Sequence, residues 1–166
     1  MVRDADVTKE TLLAEAARLQ EVRRPGGTFW IVFVGHGAPA ISGTDGLLLG
    51  VGVQPTIRSV EYRGLSQQSL LAAASSDNVV AIFDACCSGG RSDGSGQPLV
   101  PGAQATLPVR RAATTTVTAI LQASESVAGP RPGHDRPAFG YVLLGGRRGW
   151  AGDDGDGVVR VADAFT

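Results

Sequence analysis

A thiol and an imidazole are the residues most able to do chemistry in this chain, and each stands at the end of an apolar run. His36 closes Phe29-Trp30-Ile31-Val32-Phe33-Val34-Gly35, and Cys86 closes Val79-Val80-Ala81-Ile82-Phe83-Asp84-Ala85. A thiol attacks carbonyl carbon as its thiolate, and a free Cys with a pKa of about 8.5 is mostly protonated at neutral pH. An imidazole within reach removes that proton and later returns it to a leaving group. Gly37 and Ser88-Gly89-Gly90 leave the backbone uncluttered where a substrate must approach. The amides of Gly37 and Cys86 are then candidates to receive a developing oxyanion. Taken singly, Cys86 and Cys87 would read as small core hydrophobes and His36 as a loop histidine. Placement at two run ends flanked by glycine favours the chemical reading.

The two runs are short, rich in β-branched and aromatic residues, and followed by glycine, which predicts strand then loop. In a parallel α/β sheet, ligands collect at the carboxyl ends of the strands, where His36 and Cys86 would lie. Leu12, Leu13, Ala16, Ala17 and Leu19 recur at helical spacing within residues 8–21, with Asp6 or Thr8 as N-cap and Arg23-Arg24-Pro25-Gly26-Gly27 as the stop. Residues 35–63 read as irregular apart from an apolar patch at Leu47-Leu48-Leu49. Ser66 caps a second helix over 67–75, residues 114–123 read as a third strand, and 139–147 as a further helix. Alternation of strands and helices predicts an α/β fold with a mainly parallel sheet.

Composition narrows the function classes. At 166 residues the chain has the length of one domain. A formal net charge of −1 gives no electrostatic reason to expect nucleic acid or an anionic membrane as partner. No apolar stretch approaches the roughly 20 residues that cross a bilayer, and the amino terminus is acidic without an apolar segment. Two adjacent cysteines build no disulfide framework, so a reducing, cytoplasmic location is expected. The second histidine, His134, falls in Pro130-Arg131-Pro132-Gly133-His134-Asp135 and reads as a surface residue.

Gly35-His36-Gly37 followed by Asp84-Ala85-Cys86-Cys87-Ser88-Gly89 resembles the caspase and metacaspase superfamily, particularly its bacterial members. Asp4-Ala5-Asp6-Val7-Thr8, Asp45-Gly46-Leu47-Leu48-Leu49, Ala123-Ser124 and Phe139-Gly140-Tyr141-Val142-Leu143-Leu144 extend the resemblance over most of the chain. It implies a caspase-like three-layer sandwich, one peptidase domain over 1–166. A large-fragment part over 1–111, a linker loop about 88–111 and a small-fragment part over 112–166 follow from it. It also implies that the family's first strand is missing, which would leave one edge of the sheet exposed. Either a longer protein or another segment would then complete the sheet.

By the same resemblance Cys86 is the nucleophile and His36 the base and acid. Asp84 matches the acidic residue with which metacaspases receive a basic side chain, and Ser124 is a weaker candidate for the same pocket. A carboxylate two residues before the nucleophile shares its strand face and suits Arg or Lys. The expected activity is therefore cysteine-type endopeptidase cleavage of a protein or peptide after Arg or Lys. Self-processing is expected at Arg110-Arg111. Cys87 would be mistaken for the nucleophile only if the register of the Asp-x-Cys motif were ignored.

No cofactor is required by this reading, although dependence on Ca²⁺ is compatible with the family. Asp153-Asp154-Gly155-Asp156-Gly157 resembles a D-x-D-x-D-G calcium loop, with Asp154 and Asp156 as weak candidate ligands. Its first position falls on Gly152 and its twelfth on Asp163, so no metal is expected there. Beyond substrate, the remainder of a larger protein or an activating partner is a possible associate. Two other classes compete: a silent caspase-like module acting in protein assembly, and a flavodoxin-like small-molecule binder, which would want a glycine-rich phosphate loop after a first strand.

Overall fold

The sequence patterns resolve into an α/β fold in the computed structural model, which describes residues 1–42, 45–74, 78–86, 117–122, 138–146 and 148. By contacts the chain divides into two compact units, Met1–Val127 and Ala128–Thr166. The first holds a sheet with strand order β3-β2-β1-β4-β5. Its elements are α1 (Lys9–Val22), β1 (Phe29–Pro39), β2 (Gly46–Leu49), α2 (Ile57–Arg63), β3 (Leu65–Ser66), α3 (Gln67–Ala74), β4 (Val79–Cys86) and β5 (Val117–Gln122). Within the second unit, α4 spans Ala138–Gly145, close to the helix expected at 139–147.

The sheet is mixed, with its longer ladders parallel. β1, β4 and β5 run parallel, while β2 pairs antiparallel with both β1 and β3. The antiparallel part arises from the segment read as irregular. Gly35, Gly37 and Pro39 do not end β1, because β2 pairs with its last four residues, from His36↔Leu49 to Pro39↔Gly46. Pro39 is tolerated because it is the final residue of the strand. Helix α2 was also hidden: it has only seven residues, and Val60 alone among them is buried.

Side-chain alternation sorts the sheet into two faces. Phe29, Ile31 and Phe33 of β1 and Val79, Ala81, Phe83 and Ala85 of β4 form one face. That face packs against Ala16 of α1 and Leu70, Leu71 and Ala74 of α3, with Leu12 and Leu13 at the margin. On the opposite face a smaller cluster joins Ala38, Leu47 and Leu49 to Val60 of α2. Helices therefore cover both faces of the sheet, as the α/β reading requires.

Local polar groups set the starts of these elements. Thr8 caps α1 by accepting a hydrogen bond at Oγ1 from the Thr11 amide, 3.1 Å away. Thr56 does the same for α2 from Ser59, and Ser66 for α3 from Ser69. The Ser66 hydroxyl also bonds Asp45 Oδ2, while Asp45 Oδ1 accepts from the Gly46 amide, tying the start of β2 to the start of α3. At the other end of β2 the Val51 amide donates to the Val7 carbonyl at 2.7 Å. A Cβ built on Gly50 would lie 2.1 Å from that same carbonyl oxygen, so only glycine fits this crossing.

The Thr8 cap has a measurable share of stability. Thr8→Ala removes the oxygen that satisfies the Thr11 amide and is expected to cost about 1 kcal/mol. For a domain of this size that corresponds to a Tm lower by roughly 2–4 °C. A thermal melt checks this, and an unchanged midpoint would show that α1 does not depend on its cap.

Candidate active site

Parallel pairing between β1 and β4 runs without interruption from Phe29↔Val79 to His36↔Cys86. Fifty residues of sequence are thereby closed to one inter-strand step, about 4.8 Å. The pairing ends at the pair that the sequence singled out. Val34↔Asp84 lies two positions earlier, so alternation places His36, Asp84 and position 86 on one face of the sheet.

His36 is exposed, whereas Ala38, the next residue on its face, is buried in the cluster with Val60 of α2. On the other side of His36 the same face of β1 carries Val34, Val32 and Trp30, all exposed. The histidine thus stands at the border between a helix-covered and an uncovered part of the sheet. Its backbone is held from both sides, by Cys86 in β4 and Leu49 in β2. This double clamping explains why the strand does not fray at Gly35 and Gly37. Leu49 and β2 are the contributors that sequence reasoning missed; the signal was the apolar run Leu47-Leu48-Leu49 closed by Gly50.

Asp84 is 5% exposed and engaged in polar interaction, one of only two polar or charged residues in the buried class among the described residues. A carboxylate costs several kcal/mol to remove from water unless partners compensate it. Its neighbours Val80 and Ile82 on the same strand face are apolar and buried.

The backbone register also bears on the oxyanion donors. The Phe29 amide donates to the Asn78 carbonyl at 2.8 Å, which turns the odd-numbered peptide groups of β1 toward β4. Gly37 therefore aims its amide to the β4 side, beyond the Gly35 position. In a regular parallel ladder with this register, the Cys86 amide faces the Gly35 carbonyl and the Gly37 amide faces the Cys86 carbonyl. Use of these two amides by a substrate oxyanion requires both of these hydrogen bonds to open.

Ser124, Arg110, Arg111, Asp154, Asp156 and His134 lie outside the described residues, as does the loop at 88–111. No group of three or more His, Cys, Asp or Glu side chains suited to a metal occurs among the described residues. No helix among them is long and apolar enough to cross a membrane. Comparison with protein-family models, with curated proteins and with solved structures finds no match to this chain.

Proposed function

We propose that this chain is a caspase-like cysteine endopeptidase that cuts after Arg or Lys. The observation that carries the reading is the register His36↔Cys86 at the end of the β1–β4 ladder. A nucleophile and base on adjacent strands, at the carboxyl ends where α/β sheets do their chemistry, is the arrangement that thiol catalysis needs.

In this reading the Cys86 thiol passes its proton to the His36 imidazole and the thiolate adds to the scissile carbonyl. The Gly37 and Cys86 amides, released from the ladder, donate to the oxyanion. His36 then protonates the departing amine, and water hydrolyses the thioester to return free Cys86. Asp84, on the same sheet face, receives the guanidinium or ammonium of the residue before the cut. Low dielectric around Asp84 strengthens that pairing and penalises an acidic or neutral side chain.

Fluorogenic peptides ending in Arg, Lys or Asp test the reading, with and without Ca²⁺. Turnover of the basic peptides by the wild type and its loss in Cys86→Ala are expected. Efficient turnover of Asp-ended peptides with none of Arg-ended ones would refute the basic specificity. The role given to Asp84 makes a separate prediction. Asp84→Asn keeps the side-chain shape but removes the charge, so kcat/KM for Arg-ended peptides should fall by about 10²-fold or more. Reactivity of Cys86 toward a small uncharged thiol reagent should change little. Equal losses on both readouts would assign Asp84 to the dyad or to the fold rather than to the substrate.

The second reading is a catalytically silent module acting in protein assembly. The exposed apolar face at Trp30, Val32 and Val34 favours it, and absence of turnover in a folded chain would select it.

A further inference from the structure

Helix α2 and the segment before it enclose a groove that contains none of the residues of the candidate active site. Its volume is about 320 Å³, and Gln54, Thr56, Arg58, Ser59, Tyr62 and Arg63 line it. Sites for small molecules run from about 300 to 1,000 Å³, so this one lies at the small end of that range.

The lining carries two guanidinium groups and no carboxylate. Glu61, the acidic residue of α2, is engaged elsewhere, accepting from the Ile41 amide at Oε1. Among the described residues neither Arg58 nor Arg63 forms a salt bridge, and Arg58 makes no hydrogen bond. Arg63 is held in place: its Nη1 donates to the Gly52 carbonyl at 3.2 Å. Gly52 has φ +79°, and a Cβ built there would lie 3.2 Å from the same Nη1. Glycine therefore supplies both the turn and the room for the guanidinium. The other donors of the Arg63 fork stay available to a ligand. Two hydroxyls add to them. Ser59 Oγ accepts from the Gln54 amide at 2.8 Å, and Thr56 Oγ1 accepts from the Ser59 amide at 3.2 Å. Each keeps its own proton to donate.

We propose that this groove binds a phosphate monoester whose organic part carries a flat ring. Charge argues for the phosphoryl group, because two permanent cations meet a group that carries about −1.5 to −2 at neutral pH. Donor geometry argues for it over a carboxylate. Two guanidinium forks and two hydroxyls suit three terminal oxygens better than the two coplanar oxygens of a carboxylate. Tyr62 argues for the ring. It stands four residues after Arg58, on the same side of α2, and is 82% exposed within the lining. Its uncovered face is free to stack on a ring attached to the phosphate.

The test is titration of the full chain with phenyl phosphate, followed by calorimetry and by amide NMR. Saturable binding that shifts the Gly52, Ser59 and Tyr62 amides is expected. Benzoate, which keeps the ring and exchanges phosphate for carboxylate, should bind about tenfold or more weaker. Inorganic phosphate, which has no ring, should also bind more weakly than phenyl phosphate. Arg58→Gln and Arg63→Gln should each weaken phenyl phosphate by about tenfold or more, the loss of a charge-assisted contact. Arg58→Gln breaks no hydrogen bond or ion pair among the described residues, so its effect is not one of folding. Arg18→Gln in α1 makes the same change in net charge away from the groove and should bind as the wild type does. Adenosine monophosphate then separates two sources of the same chemistry: tighter binding than phenyl phosphate assigns a nucleotide, and weaker binding an aryl phosphate. A chain that shows no saturable binding overturns the proposal. So does binding that survives Arg58→Gln and Arg63→Gln, or benzoate that binds as tightly as phenyl phosphate. Hydrolysis is not read in any arm, so the outcome is independent of the proposed protease.

Discussion

Replacing either His36 or Cys86 by alanine is expected to lower kcat/KM for an Arg-ended peptide by about 10⁴-fold or more, and replacing both to lower it no further. The size follows from the chemistry. Without the thiol there is no covalent intermediate, and without the imidazole the thiol is mostly protonated and the leaving amine receives no proton. A loss of about 10⁴ corresponds to about 5 kcal/mol of transition-state stabilisation. Lack of additivity is the sharper part of the expectation, because residues that act as one unit lose their joint function when either is removed. Their paired register at the last rung of the β1–β4 ladder makes that unit physically reasonable. The His36 variant should stay folded, because His36 is exposed. Losses that multiply in the double variant would mean that the two act separately and that the dyad is wrong.

Phe83→Ala is expected to cost about 3–5 kcal/mol of folding stability. Phe83 is fully buried, the largest such side chain among the described residues, and it lies beside Phe33 in the centre of the β1–β4 pairing. Its face of the sheet is the one packed on Ala16, Leu70, Leu71 and Ala74. Truncation leaves a cavity between the sheet and two helices that cannot all close at once. Set against a typical total of about 5–15 kcal/mol, the loss brings the chain near its threshold. Urea denaturation measures it, with Val51→Ala on the exposed surface as a control expected to stay within about 0.5 kcal/mol. A cost near that of the control would place the main core elsewhere.

These two predictions draw on different amounts of sequence information. α1, α3, β1, β4 and β5 were legible because each carries a strong local period: helical spacing at Leu12, Leu13 and Ala16, and dense β-branched and aromatic runs in the strands. β5 covers Val117–Gln122 within the expected 114–123. What local pattern misrepresented was the stretch after Val34. Glycine and proline there signalled a loop, but backbone pairing with Leu47-Leu48-Leu49 holds Gly35 to Pro39 in a strand. Tertiary pairing overrode propensity and added an antiparallel part beside the parallel ladders. α2 was missed because seven residues with one buried side chain give no period to detect.

The candidate site was legible in part. Run ends at His36 and Cys86 are visible in the sequence, and so is Asp84 two residues before the cysteine. That positions 36 and 86 face each other is a property of register, which depends on how β1 and β4 align after the intervening β2, α2, β3 and α3. The burial of Asp84 likewise depends on what covers the sheet, and no window of sequence reveals that.

The most direct measurement of the central claim is covalent labelling with an Arg-ended peptide chloromethyl ketone, read by intact mass and then by peptide mapping. The reactive thiolate displaces chloride and keeps the peptide as a thioether. A single adduct on Cys86, slowed strongly by His36→Ala and absent with an Asp-ended probe, is the predicted result. A folded chain that takes no adduct, or takes it on Cys87, or reacts as fast without His36, would contradict the account.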